Sequence, residues 1–175
     1  MAVTNQPTNL NFLSPLGYKF ILSRAPNVGY FVQEVSLPGL SLGVATQITP
    51  FVNIRRPGDK VEFEQMQVTF RVNEDMDNYL EIFNWMVALG RPEGFDQYTL
   101  KQLSSQSVDS QKDTIVSDIS LTVLSSAMNS NIEFLMRDCF PVGLSNITMT
   151  SSASDVDYVT ATATFALTDF TITQV

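Results

Sequence analysis

The sequence has no histidine and one cysteine, Cys139, and these shortages narrow the chemistry available to it. Without histidine the chain lacks the commonest general base and the commonest metal ligand. One cysteine forms no intrachain disulfide, and without a histidine partner it is better explained as a small buried residue than as a nucleophile. Glycine motifs for phosphates, dinucleotides or a nucleophilic serine are absent too. We therefore expect a protein that matures in a reducing cytoplasm, is not an enzyme and needs no cofactor or metal.

Long apolar runs are also missing, because Glu, Asp or Asn interrupts each hydrophobic window before it reaches membrane-spanning length. The N-terminus has no basic stretch followed by an apolar run, so we expect no secretory signal. With 175 residues and 44% hydrophobic content, the chain suits a single domain, residues 1–175, with a sizeable core.

Positive charge is scarce in the second half of the chain, and the formal net charge is −8. Residues 1–92 contain eight acids and seven bases, whereas residues 93–175 contain ten acids and three bases. A surface with charge of both signs can pair a basic patch of one copy with an acidic patch of another. Charge that serves solubility alone is the plainer explanation. Apart from the pair Arg55–Arg56 there is no basic cluster, which disfavours nucleic-acid binding by phosphate neutralisation.

Most of the chain alternates between apolar and polar residues, as β-strands with one buried face do. The segments with this pattern are 18–23, 30–37, 61–72, 115–124, 131–138, 146–150 and 156–173. In residues 61–72 the apolar phase changes near Glu64-Gln65, which predicts a bend or bulge there. We expect a mostly β fold, a barrel or sandwich of about six to eight antiparallel strands.

One flanking α-helix is predicted over about residues 75–90, ending near Gly90 and Pro92. Its expected buried stripe consists of Met76, Tyr79, Leu80, Phe83, Met86 and Val87. Ile82, Trp85 and Leu89 form a second apolar stripe. A helix that is apolar over more than half its circumference is usually covered on two sides. Either a deep groove of its own domain or a neighbouring subunit supplies the second cover.

Three segments are predicted to lie outside the compact body. Residues 1–17 form a polar N-terminal arm, and residues 97–113 form a polar, serine-rich loop at the surface. Residues 40–60 form a protruding hairpin arm, with its turn at Arg56-Pro57-Gly58-Asp59. The strand pattern of the arm is too irregular for a buried strand and suits a segment that orders when something packs on it.

A set of short motifs along the chain resembles the tail tube proteins of contractile-tailed bacteriophages. In order, these are Leu37-Pro38-Gly39, Thr49-Pro50-Phe51, Asn53-Ile54-Arg55-Arg56, Gly58-Asp59-Lys60, Asn73-Glu74-Asp75 before a helix with Phe83 and Trp85, and Phe140-Pro141. Each is unspecific alone, but their order and spacing cover nearly the whole chain. The serine-rich loop has no counterpart in this resemblance; we expect a mobile surface loop there rather than a contact with a tail sheath.

The resemblance implies a structural virion protein of the phage tail, assembled in the host bacterial cytoplasm. Six subunits would form a ring, and stacked rings would form a hollow tube through which viral DNA passes without specific binding. Tail sheath, baseplate and tail terminator proteins would be its partners, with no membrane involved. Related inner tubes occur in contractile bacteriocins and in type VI secretion systems.

The same resemblance suggests where this chain meets its neighbours. Contacts between subunits or rings are expected at Pro50, Phe51, Asn53, Arg55, Arg56, Gly58, Asp59 and Trp85. Acidic residues expected to face the lumen are Glu62, Glu64, Asp155 and Asp157. Carboxylates along the lumen would repel DNA phosphates and let the strand slide.

Three other functions remain open. A tube-like baseplate or tail-completion protein would form one ring and not polymerise. A soluble carbohydrate-binding β-barrel would be a monomer with an aromatic groove made by Trp85 and the tyrosines. A hydrolase would need a cleft with paired carboxylates, for which Glu62/Glu64 and Asp155/Asp157 are candidates, although strands that face water often carry such pairs.

Overall fold

The computed structural model describes residues 10–90, 94, 115–150 and 158–174. The nine strands in these ranges are β1 (Tyr18–Leu22), β2 (Val32–Ser36), β3 (Leu40–Ile48), β4 (Asn53–Phe63), β5 (Met66–Arg71), β6 (Ser117–Leu124), β7 (Ser130–Leu144), β8 (Thr160–Ala166) and β9 (Asp169–Gln174). The two helices are α1 (Pro26–Phe31) and α2 (Asp77–Gly90). The mostly β fold with a flanking helix is thus confirmed, with one strand more than the predicted range and an additional short helix. Neither described helix is long and apolar enough to cross a membrane.

Seven of the strands form one antiparallel sheet in the order β1-β6-β7-β8-β5-β2, and β9 also pairs with β7. The long strand β7 joins two parts of this sheet. Its first two thirds pair with β6 and β9, and its last residues pair with β8. Strands β3 and β4 form a separate two-stranded sheet.

Strands β8 and β9 run along β7 as one interrupted strand. Ala166 pairs with Phe140 and Asp169 pairs with Arg137, so the register is the same on both sides of the break at Leu167-Thr168. The sequence predicted one strand over 156–173 in which the apolar residues switch from one face to the other, and the break lies where this switch occurs. Arg137 and Asp169 also approach to 3.9 Å, but both side chains are largely exposed, and such ion pairs contribute little stability.

The core lies between the two parts of the sheet and α2. Its residues are Phe20, Leu22, Ala25, Val28, Met66, Val68, Phe70, Ile82, Trp85, Ile119, Leu121, Met136, Cys139, Ala161, Ala163 and Phe165. The alternation predicted for β6 and β8 holds, since every second residue of each strand is buried. On the other face of the sheet, the hydroxyls of Thr69 and Thr162 meet across β5 and β8 at 3.1 Å.

The predicted buried stripe of α2 is only partly correct, since Tyr79 and Met86 pack against the core but are only partly buried. The fully buried face consists of Asn78, Ile82, Trp85 and Ala88. Leu80 and Phe83, predicted to be buried, are 43% and 47% exposed. The buried Asn78 is accommodated because its side-chain Nδ2 donates to the carbonyl oxygen of Arg71 at 2.6 Å, tying the start of α2 to the end of β5. The Nε1 of Trp85 donates to the carbonyl oxygen of Ile115 at 3.1 Å.

Three further local predictions are wrong. The segment Pro26-Asn27-Val28-Gly29, predicted as a turn, begins α1. Residues 140–143, predicted to interrupt a strand, belong to β7, which continues to Leu144. Residues 145–150, predicted to contain a strand at 146–150, have no regular structure. The loop 97–113 and the first nine residues of the N-terminal arm lie outside the described residues.

Candidate assembly surface

The hairpin of β3 and β4, which we call the arm (Leu40–Phe63), exposes many apolar side chains. Its two strands pair from Leu40 opposite Phe63 at the base to Ile48 opposite Asn53 at the tip. At the base, the backbone N–H of Glu64 donates to the carbonyl oxygen of Gly39 at 3.0 Å. There the ring of Phe63 also packs edge-on against Phe170, with ring centroids 5.4 Å apart.

The turn of the arm lies at 49–52, so the predicted turn at Arg56–Asp59 is wrong. The hydroxyl of Thr49 closes the turn, since it accepts from the backbone N–H of Val52 at 3.2 Å and donates to the carbonyl of the same residue. Pro57-Gly58-Asp59-Lys60 instead lies within β4, where the register shifts between Leu42 and Val44. These turn-forming residues therefore form a bulge that bends the arm along its length. They do not form the turn at its tip.

Gly58 is required in this bulge by a close approach of two backbones. A Cβ atom at Gly58 would lie 2.5 Å from the carbonyl oxygen of Gly43 on the facing strand. Real Cβ atoms do not come so close to backbone, so a larger residue would force the strands apart. The structure thus gives Gly58 a role within its own chain.

The arm has one apolar face and one mainly polar face. Residues paired across an antiparallel ladder project to the same side, so the register assigns each position. The apolar face consists of Leu40, Leu42, Val44, Thr46 and Ile48 on β3 with Asn53, Arg55, Pro57, Val61 and Phe63 on β4. The other face consists of Ser41, Ala45, Gln47, Ile54, Arg56 and Glu62.

Beyond the contact of Phe63 with Phe170 at its base, neither face of the arm is covered by the rest of the described chain. Every residue of β3 is exposed, and Val44 and Ile48 are 62% and 83% exposed. Phe51 at the tip is 97% exposed. A contiguous exposed apolar stripe of this kind is typical of surfaces that bind another protein, a membrane or a ligand. A two-stranded ribbon is also only marginally stable alone, so a partner that covers the apolar face would stabilise the arm.

The structure places seven of the eight predicted contact residues on the arm. Pro50 and Phe51 lie in its turn, and Asn53 and Arg55 lie on its apolar face. Arg56 lies on the opposite face, opposite Ala45. Gly58 and Asp59 lie in the bulge. Arg55 and Arg56 therefore cannot meet the same partner surface.

Trp85, the eighth predicted contact residue, requires a correction. Its side chain is 2% exposed and packs in the core of its own chain, where its ring lies 6.2 Å from that of Phe165. The guanidinium of Arg24 also lies 4.8 Å from the centroid of the Trp85 ring. This indole has almost no surface to offer another subunit or a sugar.

Of the four acids predicted to face a lumen, two lie in the described residues. Glu62 is exposed on the polar face of the arm, opposite Ser41. Glu64 follows the end of β4 and is exposed beside Gly39. Asp155 and Asp157 lie outside the described residues. No group of three His, Cys, Asp or Glu side chains in the described ranges could hold a metal ion.

Several groups that lie outside the arm have a pKa shifted by burial. Burial lowers the pKa of the Arg24 guanidinium. The pKa of Cys139 rises to about 12, because the thiol is buried and lies near Asp118 and Asp138. Burial also raises the pKa of Glu81, although Asn27 donates to this carboxylate at 2.8 Å. Each main cause is desolvation inside the fold, which is typical of structural positions as well as of catalytic ones.

Sequence reasoning missed two further surface features. The outward side of α2 presents Leu80 and Phe83, which the sequence assigned to the core. A groove of about 540 Å³ lies beside the edge strands β1 and β2; it is lined by Pro15, Leu16, Tyr18, Lys19, Phe20, Gly29, Tyr30, Val32 and Gln33. The alternation Leu40, Leu42, Val44 would have revealed the apolar face of β3, had the residues not been discounted as irregular.

Comparison with known proteins adds a family and a set of similar folds. A family model described as phage tail tube protein matches residues 4–173. No curated protein sequence matches the chain. A chain of the tube-terminating cap of the anti-feeding prophage (AFP) is 11% identical, with a TM-score of 0.61 over 100% of both chains.

Two other solved structures share the fold at similar identity. A chain of the sheath–tube complex of an extracellular contractile injection system (PVC), in its extended state, is 11% identical with a TM-score of 0.60, over 95% of this chain and 94% of that one. A chain of the six-fold symmetrised AFP baseplate is 12% identical with a TM-score of 0.58, over 89% of this chain and 90% of that one.

Proposed function

Because this chain belongs to the phage tail tube protein family and has the structural role of a tube subunit, we propose how its copies assemble. Six copies join into a ring, and rings stack into a hollow tube in which each arm reaches a neighbouring copy. The six-fold symmetry comes from analogy with the AFP baseplate, one chain of which shares this fold.

The observation that carries the proposal is the exposed, two-faced arm. Apart from Phe63 at the base, its apolar face has no cover in the described part of its own chain, and Phe51 at its tip is almost fully exposed. Burial of such residues against a second copy removes apolar surface from water, which stabilises the contact by about 25 cal/mol per Å² of area buried. A fully buried side chain of the size of Ile48 contributes about 1.5–3 kcal/mol on this scale. Pro50, Phe51, Asn53, Arg55, Arg56, Gly58 and Asp59 are the arm residues that we assign to contacts between subunits or rings.

Ring closure would come from the strands at the ends of the sheet. Strands β1 and β2 each have one paired neighbour among the described strands, β6 and β5 respectively. An unpaired strand edge is a template for pairing with another chain, and closing a ring removes such edges.

The charge of the chain supports passage of DNA through the tube. The formal net charge of −8 disfavours attractive contacts with phosphates, which would add up along a long channel. Glu62, Glu64, Asp155 and Asp157 remain our assignment for the lumen. On this proposal the protein is part of the virion tail, assembles in the host bacterial cytoplasm, contacts tail sheath, baseplate and tail terminator proteins, and is not an enzyme.

The test is to reverse both arginines of the arm with Arg55→Glu/Arg56→Glu and to follow assembly by light scattering and negative-stain microscopy. Wild-type protein is expected to form hollow tubes, and the reversed variant is expected to remain as isolated rings or smaller species. The matched control, Arg55→Lys/Arg56→Lys, keeps the charge and should still polymerise.

Three results would contradict the proposal. Tubes of normal length from the reversed variant would show that Arg55 and Arg56 are not needed for polymerisation. Isolated rings from the wild type would favour a tube-like baseplate or tail-completion protein. A wild-type monomer at high concentration would contradict self-assembly altogether.

A further inference from the structure

The outward face of α2 is an apolar helix surface without a partner in the described chain. Leu80, Phe83 and Val87 follow the i, i+3, i+7 spacing and so form one stripe. Leu80 and Phe83 are 43% and 47% exposed, while the opposite stripe with Ile82 and Trp85 fills the core. Helix α2 is therefore apolar on two sides, and this fold covers one of them.

Acidic residues border this stripe at one end. Glu74 and Asp75 lie just before α2 and Asp77 lies in its first turn, and all three are exposed. Asp77 is one turn from Leu80, so its carboxylate lies at the edge of the stripe. No base occurs between residues 72 and 90, so within this segment the charge is negative, and Asp77 accepts a hydrogen bond from the Nδ2 of Asn73 at 3.5 Å.

The apolar face of the arm matches this surface in both hydrophobicity and charge. Val44 and Ile48 provide exposed apolar side chains, and Arg55 is the one charged residue among the paired positions of that face. Arginine can bond a carboxylate through two parallel N–H groups. A partner surface for this face should therefore be an apolar stripe with a carboxylate at one edge.

The groove beside β1 and β2 is a poorer match for the same face. The charged residue among those that line it is Lys19. Docking of the arm there would bring Arg55 near Lys19 as well as near Glu34, whose charge acts on Tyr18 of the groove. The mixed charge favours Arg55 less than the acidic end of α2 does.

We propose that the apolar face of one copy's arm docks on the outward stripe of α2 in a second copy, with Arg55 paired to the acidic residues around Asp77. The proposal rests on the proposed function, since it names the surface that receives the arm when copies assemble. It is heterologous, because the arm and α2 are different surfaces, and contacts of this kind build rings or filaments.

The test is a charge-swap cycle on the full-length protein, followed by measuring the critical concentration for assembly. Arg55→Glu and Asp77→Lys should each raise that concentration about tenfold or more, because each places like charges in the contact. Combining them restores an opposite-charge pair and should return the value to within about threefold of the wild type. The matched control combines Arg56→Glu, on the other face of the arm, with Asp77→Lys, and this combination should show no rescue.

A disulfide test keeps the proposal falsifiable if Asp77→Lys disturbs the start of α2. The variant Ile48→Cys/Phe83→Cys should give a ladder of covalent multimers on mild oxidation of assembled protein. Gln47→Cys/Phe83→Cys, which moves the thiol to the opposite face of the arm, should give little.

The outcomes separate this proposal from the proposed function. The docking is supported if Arg55→Glu, but not Arg56→Glu, restores assembly of Asp77→Lys, and if Ile48→Cys/Phe83→Cys, but not Gln47→Cys/Phe83→Cys, gives the ladder of covalent multimers. Wild-type tubes without rescue, or equal ladders from both cysteine pairs, overturn the docking and leave the tube in place. Wild-type protein that never assembles overturns the proposed function itself.

Discussion

The two stripes of α2 give a prediction that compares neighbouring positions of one helix. Ile82 is fully buried and Leu80 is 43% exposed, although both are large aliphatic residues two positions apart. We expect Ile82→Ala to lower the free energy of unfolding by about 3 kcal/mol, since it removes buried methylenes and leaves a cavity. Leu80→Ala should cost about 1 kcal/mol, because half of that side chain already meets water and no closed cavity forms.

These differences are large enough to measure by urea denaturation. With an m-value of about 2 kcal/mol per molar, Ile82→Ala should move the midpoint down by about 1.5 M and Leu80→Ala by about 0.5 M. In thermal melts, Ile82→Ala should lower Tm by about 6–12 °C. Assembly raises apparent stability by mass action, so the protein should be dilute enough that light scattering detects no multimers.

The reasoning fails if the order is reversed or the two variants are equal. Equal destabilisation would mean that the outward stripe of α2 is covered within its own chain. In that case the docking surface proposed for the arm would be lost as well. On our account, Leu80→Ala weakens assembly more than it weakens folding.

Two further predictions concern the arm and the half-buried carboxylate of Glu81. Gly58→Val should force β4 away from Gly43 and raise the critical concentration for assembly at least about tenfold. The urea midpoint of the dilute protein should stay unchanged. Normal assembly of this variant would contradict the close approach of the two backbones, in which a Cβ atom at Gly58 would lie 2.5 Å from the carbonyl oxygen of Gly43. The raised pKa of Glu81 means that the folded state binds more protons than the unfolded state above the ordinary pKa of 4.5. The free energy of unfolding should therefore fall as pH rises from about 4.5 through the folded pKa, and Glu81→Gln should flatten this dependence; an identical pH profile in both proteins would refute the assignment.

Where one face of a strand is buried by its own chain, the sequence predicted the structure well. Strand β6 shows why: Ile119, Leu121 and Val123 are buried and the residues between them are not. When one face of a strand meets a core and the other meets water, alternating apolar residues can be buried in one orientation only, so the sequence determines which face is buried. The break between β8 and β9 was visible as a phase change for the same reason.

Prediction failed where the deciding contact is distant in sequence or absent from the chain. Both stripes of α2 are apolar, and only the packing against the sheet selects the one with Ile82 and Trp85. In the arm, Pro57-Gly58 reads as a turn from local propensity, but the facing Gly43 makes it a bulge. Strand β3 does alternate at Leu40, Leu42 and Val44, but all of its residues are exposed, so the rule that apolar alternation marks a buried face misjudges it.

The candidate assembly surface was predictable in position but not in geometry. The arginine pair and the residues around Pro50 lie on one exposed hairpin, Leu40–Phe63, close to the predicted bounds of 40–60. That they contact another copy stays a prediction. Adjacent residues of a strand face opposite sides, so Arg55 and Arg56 separate once this segment is known to be a strand and not a turn. Which of the two shares a face with Val44 and Ile48 depends on the register of β3 and β4, which sequence alone does not fix. Trp85 was misassigned because an aromatic residue on a second apolar stripe suits a core and an interface equally well.

The most direct measurement is a cryo-EM reconstruction of the assembled wild-type protein. The account predicts a hollow tube of stacked rings with six subunits each, in which every arm is buried against another copy and Phe51 no longer meets solvent. A protein that stays monomeric at high concentration, or a tube in which the arms remain free, would contradict it.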